Sequence, residues 1–231
     1  MVTIKRADER GRTNWDWLDS RHSFSFGDYY DPSNMGHRTL RVINDDRVGP
    51  GAGFGAHPHR DMEILSYVLD GELAHRDSLG HGSVIGPGEI QHIRAGSGVV
   101  HSEFNPSATE PTHFLQIWIV PGARGLEPAY GQYRFDAERA SREFVLLASR
   151  DGRDGSVSLR QDVDLWVTKL DGDSSRSFDL RAGRSAWVHV ARGSVVVNGR
   201  VLQEGDAAAV NGEVITLTNG ERAEVLVFDL A

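Results

Sequence analysis

Two short stretches of the 231-residue chain carry side chains suited to metal chemistry. The first is Gly51-Ala-Gly-Phe-Gly-Ala-His57-Pro58-His59-Arg-Asp-Met-Glu63. The second is Gly96-Ser-Gly98-Val-Val-His101-Ser-Glu103-Phe-Asn105. Each is a glycine-rich approach followed by two metal-competent side chains at i and i+2. Successive side chains of a β-strand alternate faces, so His57 and His59 point the same way, as do His101 and Glu103. If the two strands are neighbours, three imidazole nitrogens and one carboxylate converge, a donor set suited to a borderline divalent transition metal. The glycines permit sharp turns and close backbone approach around such a site. Glu63 shares face parity with His57 and His59, so spacing alone leaves open which glutamate is the ligand.

The elements that must position these residues read as strands. Composition is that of an ordinary globular protein, 39% hydrophobic and 25% charged, with 26 glycines. Length allows one large β domain or two of roughly 100 residues. Long helical periodicity is scarce, and 136–142 alone resembles a short helical turn. Strands are expected at 39–44, 63–69, 72–75, 90–94 and 112–120, the last nearly continuous apolar, as for a strand buried on both faces. After a connector within 121–142 the pattern resumes at 143–148, 163–170, 186–191, 194–197, 207–210, 214–218 and 223–229. Asp70-Gly71, Asn198-Gly199 and Asn219-Gly220 read as hairpin turns. Regularly spaced short strands with such turns predict a sandwich or closed barrel. There is also an internal echo: Leu65–Leu73 resembles Trp187–Val195, and Pro87-Gly88-Glu89 resembles Glu204-Gly205-Asp206. The second half therefore reads as a copy of the first that has lost its ligands, with only His189 remaining.

Bulk charge narrows the partners. The formal net charge is −8 with no dense lysine/arginine run, which argues against nucleic acid or an anionic membrane as the main partner. The absence of cysteine excludes disulfides, thiolate metal sites and cysteine nucleophiles. The start, Met-Val-Thr-Ile-Lys-Arg-Ala-Asp-Glu-Arg, has no apolar signal core, and no apolar run is long enough to span a bilayer. A cytoplasmic monomer is the expectation.

Gly51-x5-His57-x-His59-x3-Glu63 followed by Gly98-x2-His101-x3-Asn105 resembles the two motifs of the cupins, small jelly-roll β-barrels that hold a metal in the barrel mouth. The flanking text, His22-Ser-Phe-Ser-Phe-Gly-Asp-Tyr-Tyr-Asp-Pro32, Leu40–Asp46, Gly55–Glu63 and His101–Pro106, is similar to the pirins, in particular their bacterial quercetin 2,3-dioxygenase branch. That resemblance covers essentially the whole chain. It implies an all-β bicupin of two stacked jelly-roll barrels with a metal site only in the N-terminal one, here 1–130, and a degenerate barrel in 131–231. It also implies His57, His59, His101 and Glu103 as the metal ligands. Gly96-x-Gly98 stands where most cupins have Pro-x-Gly, and the interval from Glu63 to Gly71 is one residue longer than usual.

The resemblance implies Fe(II) as the metal, although Ni, Co, Cu, Mn or Zn suit similar ligands. Its substrates would be a flavonol and dioxygen, with ring opening and release of carbon monoxide. Glu103 is the candidate catalytic base, with Glu63 as the other possibility, if either swings off the metal. Glu63, His113 and Gln116 are candidates to line the pocket. His22, His37, His75, His81 and His92 read as surface or hydrogen-bonded residues, and the aromatics between Trp15 and Tyr30 as packing across the barrel. The alternative is a non-enzymatic metal- or redox-responsive protein that binds a protein partner, as some pirins are described.

Overall fold

A computed structural model describes residues 2–231. The described chain separates into two compact units, one comprising 11–134 with 159–161, the other 2–10, 135–158 and 162–231. This differs from the contiguous division at residue 130. The first strand, β1 (Val2–Lys5), belongs to the second unit, where it adds to a sheet edge formed by the chain's last third.

The first unit is built from β2 (Gly11–Trp15), β3 (Leu18–His22), β4 (Leu40–Val48), β5 (Gly53–His59), β6 (Glu63–Asp70), β7 (Leu73–Asp77), β8 (Gly82–Ile85), β9 (Glu89–Arg94), β10 (Val99–Phe104), β11 (Thr112–Ile119) and β12 (Ala129–Arg134). They form a seven-stranded sheet ordered β12-β9-β6-β11-β4-β3-β2 and a four-stranded sheet ordered β5-β10-β7-β8. Apolar side chains of both sheets meet between them. Leu18, Val48, Val68 and Phe114 of the larger sheet pack with Leu73 and Ile85 of the smaller. β6 and β11 are buried along almost their whole length, as their continuous apolar text requires.

The second unit continues with the single-turn helix α1 (Ala137–Ala140), capped by the Asp136 carboxylate, which accepts from the backbone of Glu138 and Arg139. Then follow β13 (Val145–Ser149), β14 (Val157–Ser158), β15 (Val163–Gly172), β16 (Arg176–Phe178), β17 (Ser185–Val197), β18 (Arg200–Gln203), β19 (Ala207–Asn211) and β20 (Ile215–Leu230). Its sheet runs β1-β19-β17-β20-β15-β13-β14, with β16 on β20 and β18 on β17.

The internal echo has a structural basis. In both units a four-residue turn is closed by the acid at its last position. Gly86 N donates to Glu89 and Gln203 N to Asp206, while the backbones of Glu89 and Asp206 donate back. The third residue of each turn, Gly88 or Gly205, takes a positive φ.

Two expected hairpins are not hairpins. Asp70-Gly71 carries the chain from the seven-stranded sheet to the four-stranded one, since β6 and β7 do not pair. Asn219-Gly220 lies inside the continuous strand β20, where Asn219 has φ 51° and Gly220 faces Gly172 beside a register shift. A positive-φ asparagine serves a bulge as readily as a hairpin. Asn198-Gly199 does make the tight turn, with Val197 paired to Arg200.

Asn105, at the end of β10, fastens the rim of the first unit. Its amide donates to the carbonyls of Val48, Gly49 and Glu110 at 2.8–3.1 Å, and its oxygen accepts from Ser107 N. Replacing it with alanine orphans several groups in a site only 2% exposed. Asn105→Ala is therefore expected to cost about 2–3 kcal/mol, measured by urea denaturation.

Candidate metal centre

Adjacent antiparallel strands bring the two histidine stretches together. In β10–β5 pairing His101 lies opposite His57, and Glu103 lies opposite Phe54. β5 thus uses three steps where β10 uses two, a bulge at 55–56. The bulge puts Phe54 on the same face as His57 and His59, so an aromatic wall adjoins the imidazoles. Glycine permits the close approach: a Cβ on Gly53 would fall 2.2 Å from the Glu103 carbonyl oxygen. Gly96, with φ 47°, tucks against Leu126, where a Cβ would meet the carbonyl oxygen at 2.0 Å. The glycine that stands in for the usual proline is thus required sterically.

Ring nitrogens of His57, His59 and His101 lie within 4.8 Å of one another. His57 Nδ1 is 2.7 Å from the Gly55 carbonyl and donates to it, which leaves Nε2 as the lone-pair nitrogen. Burial and neighbouring imidazoles hold His59 down to about 4 and His101 down to about 3. The rings of His59 and His101 are therefore neutral at ordinary pH, as metal ligands must be. Both ring nitrogens of His101 are without a hydrogen-bond partner although the residue is only 2% exposed. A buried imidazole with both nitrogens unbonded, set between two others, has a donor free for a metal ion, so these residues fit one.

Glu103 is 1% exposed and both its oxygens are held. Ser66 Oγ donates to Oε1 at 2.9 Å and Gln116 Nε2 to Oε2 at 2.6 Å. Burial still pushes its carboxyl up to about 7, with those two bonds opposing. Glu103 also shares a 4.8 Å cluster with His101 and His75. His75 Nε2 is 3.1 Å from Asp77, while its Nδ1 has no partner.

The two clusters abut a cavity of about 400 Å³ walled by Trp15, Leu18, Phe26, Phe54 and Trp118, with His57, His59, Glu103 and Gln116 among its polar lining. His101 closes the cluster from within and is not part of the wall. Gln116 thus occupies the position expected of it. Glu63 and His113 do not, and their candidacy for the pocket is corrected. Ser66 faces inward, so Glu63, three residues earlier on β6, faces the other side of the sheet. There it accepts from Arg160 N and lies 2.5 Å from His92 Nε2. The parity that linked Glu63 to His57 is broken by the turn at 60–62, where Asp61 has φ 50°. His113, likewise outward, bonds Asp45 at 2.7 Å. Trp15 and Phe26, expected only to pack, contribute to the cavity wall.

The sequence reading missed a row of inward polar side chains. Cross-strand register aligns His22, Asn44, Gln116, Ser66 and Gln91 over β3, β4, β11, β6 and β9. His22 bonds Asn44 and Thr13, and Ser66 and Gln116 grip Glu103. The available signal was the period-2 placement of Asn44 and Asp46 in line with Leu40, Val42 and Val48, on a strand face otherwise apolar.

The family model described as Pirin matches residues 4–119, and the one described as Quercetinase C-terminal cupin domain matches residues 146–230. The chain belongs to the pirin family. Among the pirins, it is 45% identical to an Escherichia coli K12 protein named quercetin 2,3-dioxygenase, over all of this chain and 99% of the relative. A Caulobacter vibrioides pirin-like protein is 40% identical over the full length of both. The crystal structure of the bacterial pirin YhhW from Escherichia coli in complex with nickel(II) superposes with a TM-score of 0.94 at 44% identity, covering 100% of this chain and 99% of that one. The pirin fold of two β domains is therefore this chain's fold. Among the described residues, both metal-competent clusters lie in the N-terminal unit.

Two predictions follow from this geometry. In metal-free protein, Glu103 has a folded-state pKa raised from 4.5 to about 7, so its contribution to stability is complete below the unfolded value and lost as pH rises through the folded one. His59 and His101 act with the opposite sign, contributing above 6.5 and failing on acidification. Removing the carboxylate in Glu103→Gln isolates the first effect. The variant should gain about 2–3 kcal/mol on wild type between about pH 5 and pH 8 in urea unfolding. Gly53→Ala should force β5 from β10 and weaken divalent-metal affinity at least about tenfold, read by competition with a chromogenic chelator.

Proposed function

We propose that this pirin is a metal-dependent dioxygenase that takes a flavonol and dioxygen, opens the flavonol's central ring and releases carbon monoxide. One observation carries the reading: the His57–His59–His101 cluster, and Glu103 which clusters with the same His101, border an aromatic-lined cavity of the size that holds small molecules. The names of its relatives support it.

His57, His59, His101 and Glu103 are the residues that would hold one divalent transition metal. Such an ion, when bound, keeps a net charge of +1 in this donor set, lowers the pKa of a coordinated hydroxyl and orients its bearer. Fe(II) is our choice for this chain, with Ni, Co, Cu, Mn and Zn as alternatives; the nickel complex of the Escherichia coli relative is in keeping with that breadth.

The protein's own contribution is proton handling and placement. Glu103, buried beside the cavity and held by two neutral donors, is the carboxylate placed to accept the flavonol 3-hydroxyl proton. Ser66 and Gln116 fix the direction from which it does so. The hydrogen bond from His57 to Gly55 keeps that imidazole in one tautomer. Phe26, Phe54 and Trp118 offer ring faces and keep water from the anionic flavonolate. The atoms balance without an external reductant. Both atoms of dioxygen enter the ring-opened depside, and the 3-position carbon leaves with its own oxygen as carbon monoxide.

Protein reconstituted separately with each of the six metals is expected, with at least one of them, to consume oxygen and release carbon monoxide from quercetin in equal amounts. His101→Ala should lose stoichiometric metal and at least about a hundredfold of the rate, followed by an oxygen electrode and metal analysis. Stoichiometric metal with no oxygen uptake under any reconstitution would contradict the enzyme reading and favour the partner-binding one.

A further inference from the structure

The cavity has a second polar end that the chemistry at Glu103 leaves unused. Asn44 and Asp46 of β4 face it, opposite His22 and Ser20 of β3. His22, Asn44 and Thr13 satisfy one another. Asp46 does not share that closure. It is 3% exposed, accepts from Ser20, forms part of the cavity wall, and its Oδ1 has no hydrogen-bond partner. Burial pushes its carboxyl up to about 7; the Ser20 bond opposes this, and the carboxylates of Asp45 and Glu103 add to it. A buried acceptor left unmatched costs about 1–3 kcal/mol, so its presence in a ligand-sized cavity calls for a donor from outside.

Register supplies the distance. Asp46 pairs with Phe114, one pleat along from the Asn44–Gln116 pair whose glutamine grips Glu103. One pleat is roughly 7 Å, comparable with the separation of hydroxyls on different rings of a small fused aromatic. Leu18, Phe54 and Trp118 provide apolar walls of the same cavity.

We propose that Asp46 Oδ1 accepts a hydrogen bond from a second hydroxyl of the aromatic ligand, on a different ring from the hydroxyl that faces Glu103, and thereby selects polyhydroxylated over monohydroxylated substrates. This rests on the reading of the cavity as a site for hydroxylated aromatics. A site built to bond a hydroxyl rejects the analogue that lacks it, because the buried acceptor then stays unpaired.

The test titrates metal-reconstituted protein, without oxygen, with quercetin and with 3-hydroxyflavone, following tryptophan fluorescence, and measures oxygen uptake in parallel. Wild type is expected to bind quercetin at least about tenfold more tightly than 3-hydroxyflavone. Asp46→Leu and Asp46→Ala should abolish most of that ratio by weakening quercetin alone. Asp46→Asn, which preserves shape and keeps the measurement available if the others fail to fold, should reduce it several-fold because a neutral amide is the weaker acceptor. An unchanged ratio in every folded variant, equal weakening of both flavonols, or no binding of either by wild type would overturn the assignment. Loss of selectivity in variants of a wild type that consumes no oxygen sinks the dioxygenase reading and keeps Asp46. Oxygen uptake with an unaltered ratio does the reverse.

Discussion

The structure of the first unit depends on a carboxylate enclosed in the protein interior. Taking an ion of that kind out of water costs several kcal/mol. Hydrogen bonds to a charged acceptor return about 1.5–3 kcal/mol each, and for Glu103 desolvation outweighs the two from Ser66 and Gln116. The shortfall is visible as the rise of Glu103 to about 7. A divalent cation beside it would close the difference, and the unpartnered nitrogens of His101 would meet the same ion from the other side. Donor set and cation therefore need each other, and the barrel's interior row of polar side chains exists to hold one half of that pair in place.

Sheet geometry turns this need into a site. The row His22–Asn44–Gln116–Ser66–Gln91 crosses five strands at one level, so its members cannot move independently without disturbing the pairing. The opposing sheet delivers His57, His59 and His101 on two neighbouring strands whose bulge admits Phe54 to the same face. In the second unit the corresponding turn is kept, down to the acid that closes it, while among the described residues no cluster of metal-competent side chains accompanies it. Scaffold and chemistry have separated between the two halves of one chain.

How far the sequence predicted this depended on whether the controlling constraint was local. The approach of His57, His59 and His101, and of Glu103 to His101, was legible because period-2 alternation holds within one strand and both pairs carry it. Gln116 was legible because it interrupts an apolar strand. Glu63 misled because alternation was carried across a turn, and a positive φ at Asp61 resets it. Asn219-Gly220 misled because bulge and hairpin ask the same backbone conformation of the same residues. His22 and His75 read as ordinary polar positions, since only the partner strand decides which face of β3 or β7 points inward.

The central claim is that His57, His59, His101 and Glu103 form one coordination sphere, with Glu103 presented to it by Ser66 and Gln116. Anomalous diffraction from crystals loaded with a single divalent metal tests it directly. The account predicts one ion with nitrogen ligands from the three histidines and an oxygen of Glu103 at about 2.0–2.2 Å, while Gln116 still bonds the other carboxylate oxygen. An ion held by His75 with His101, leaving His57 and His59 uncoordinated, would contradict it.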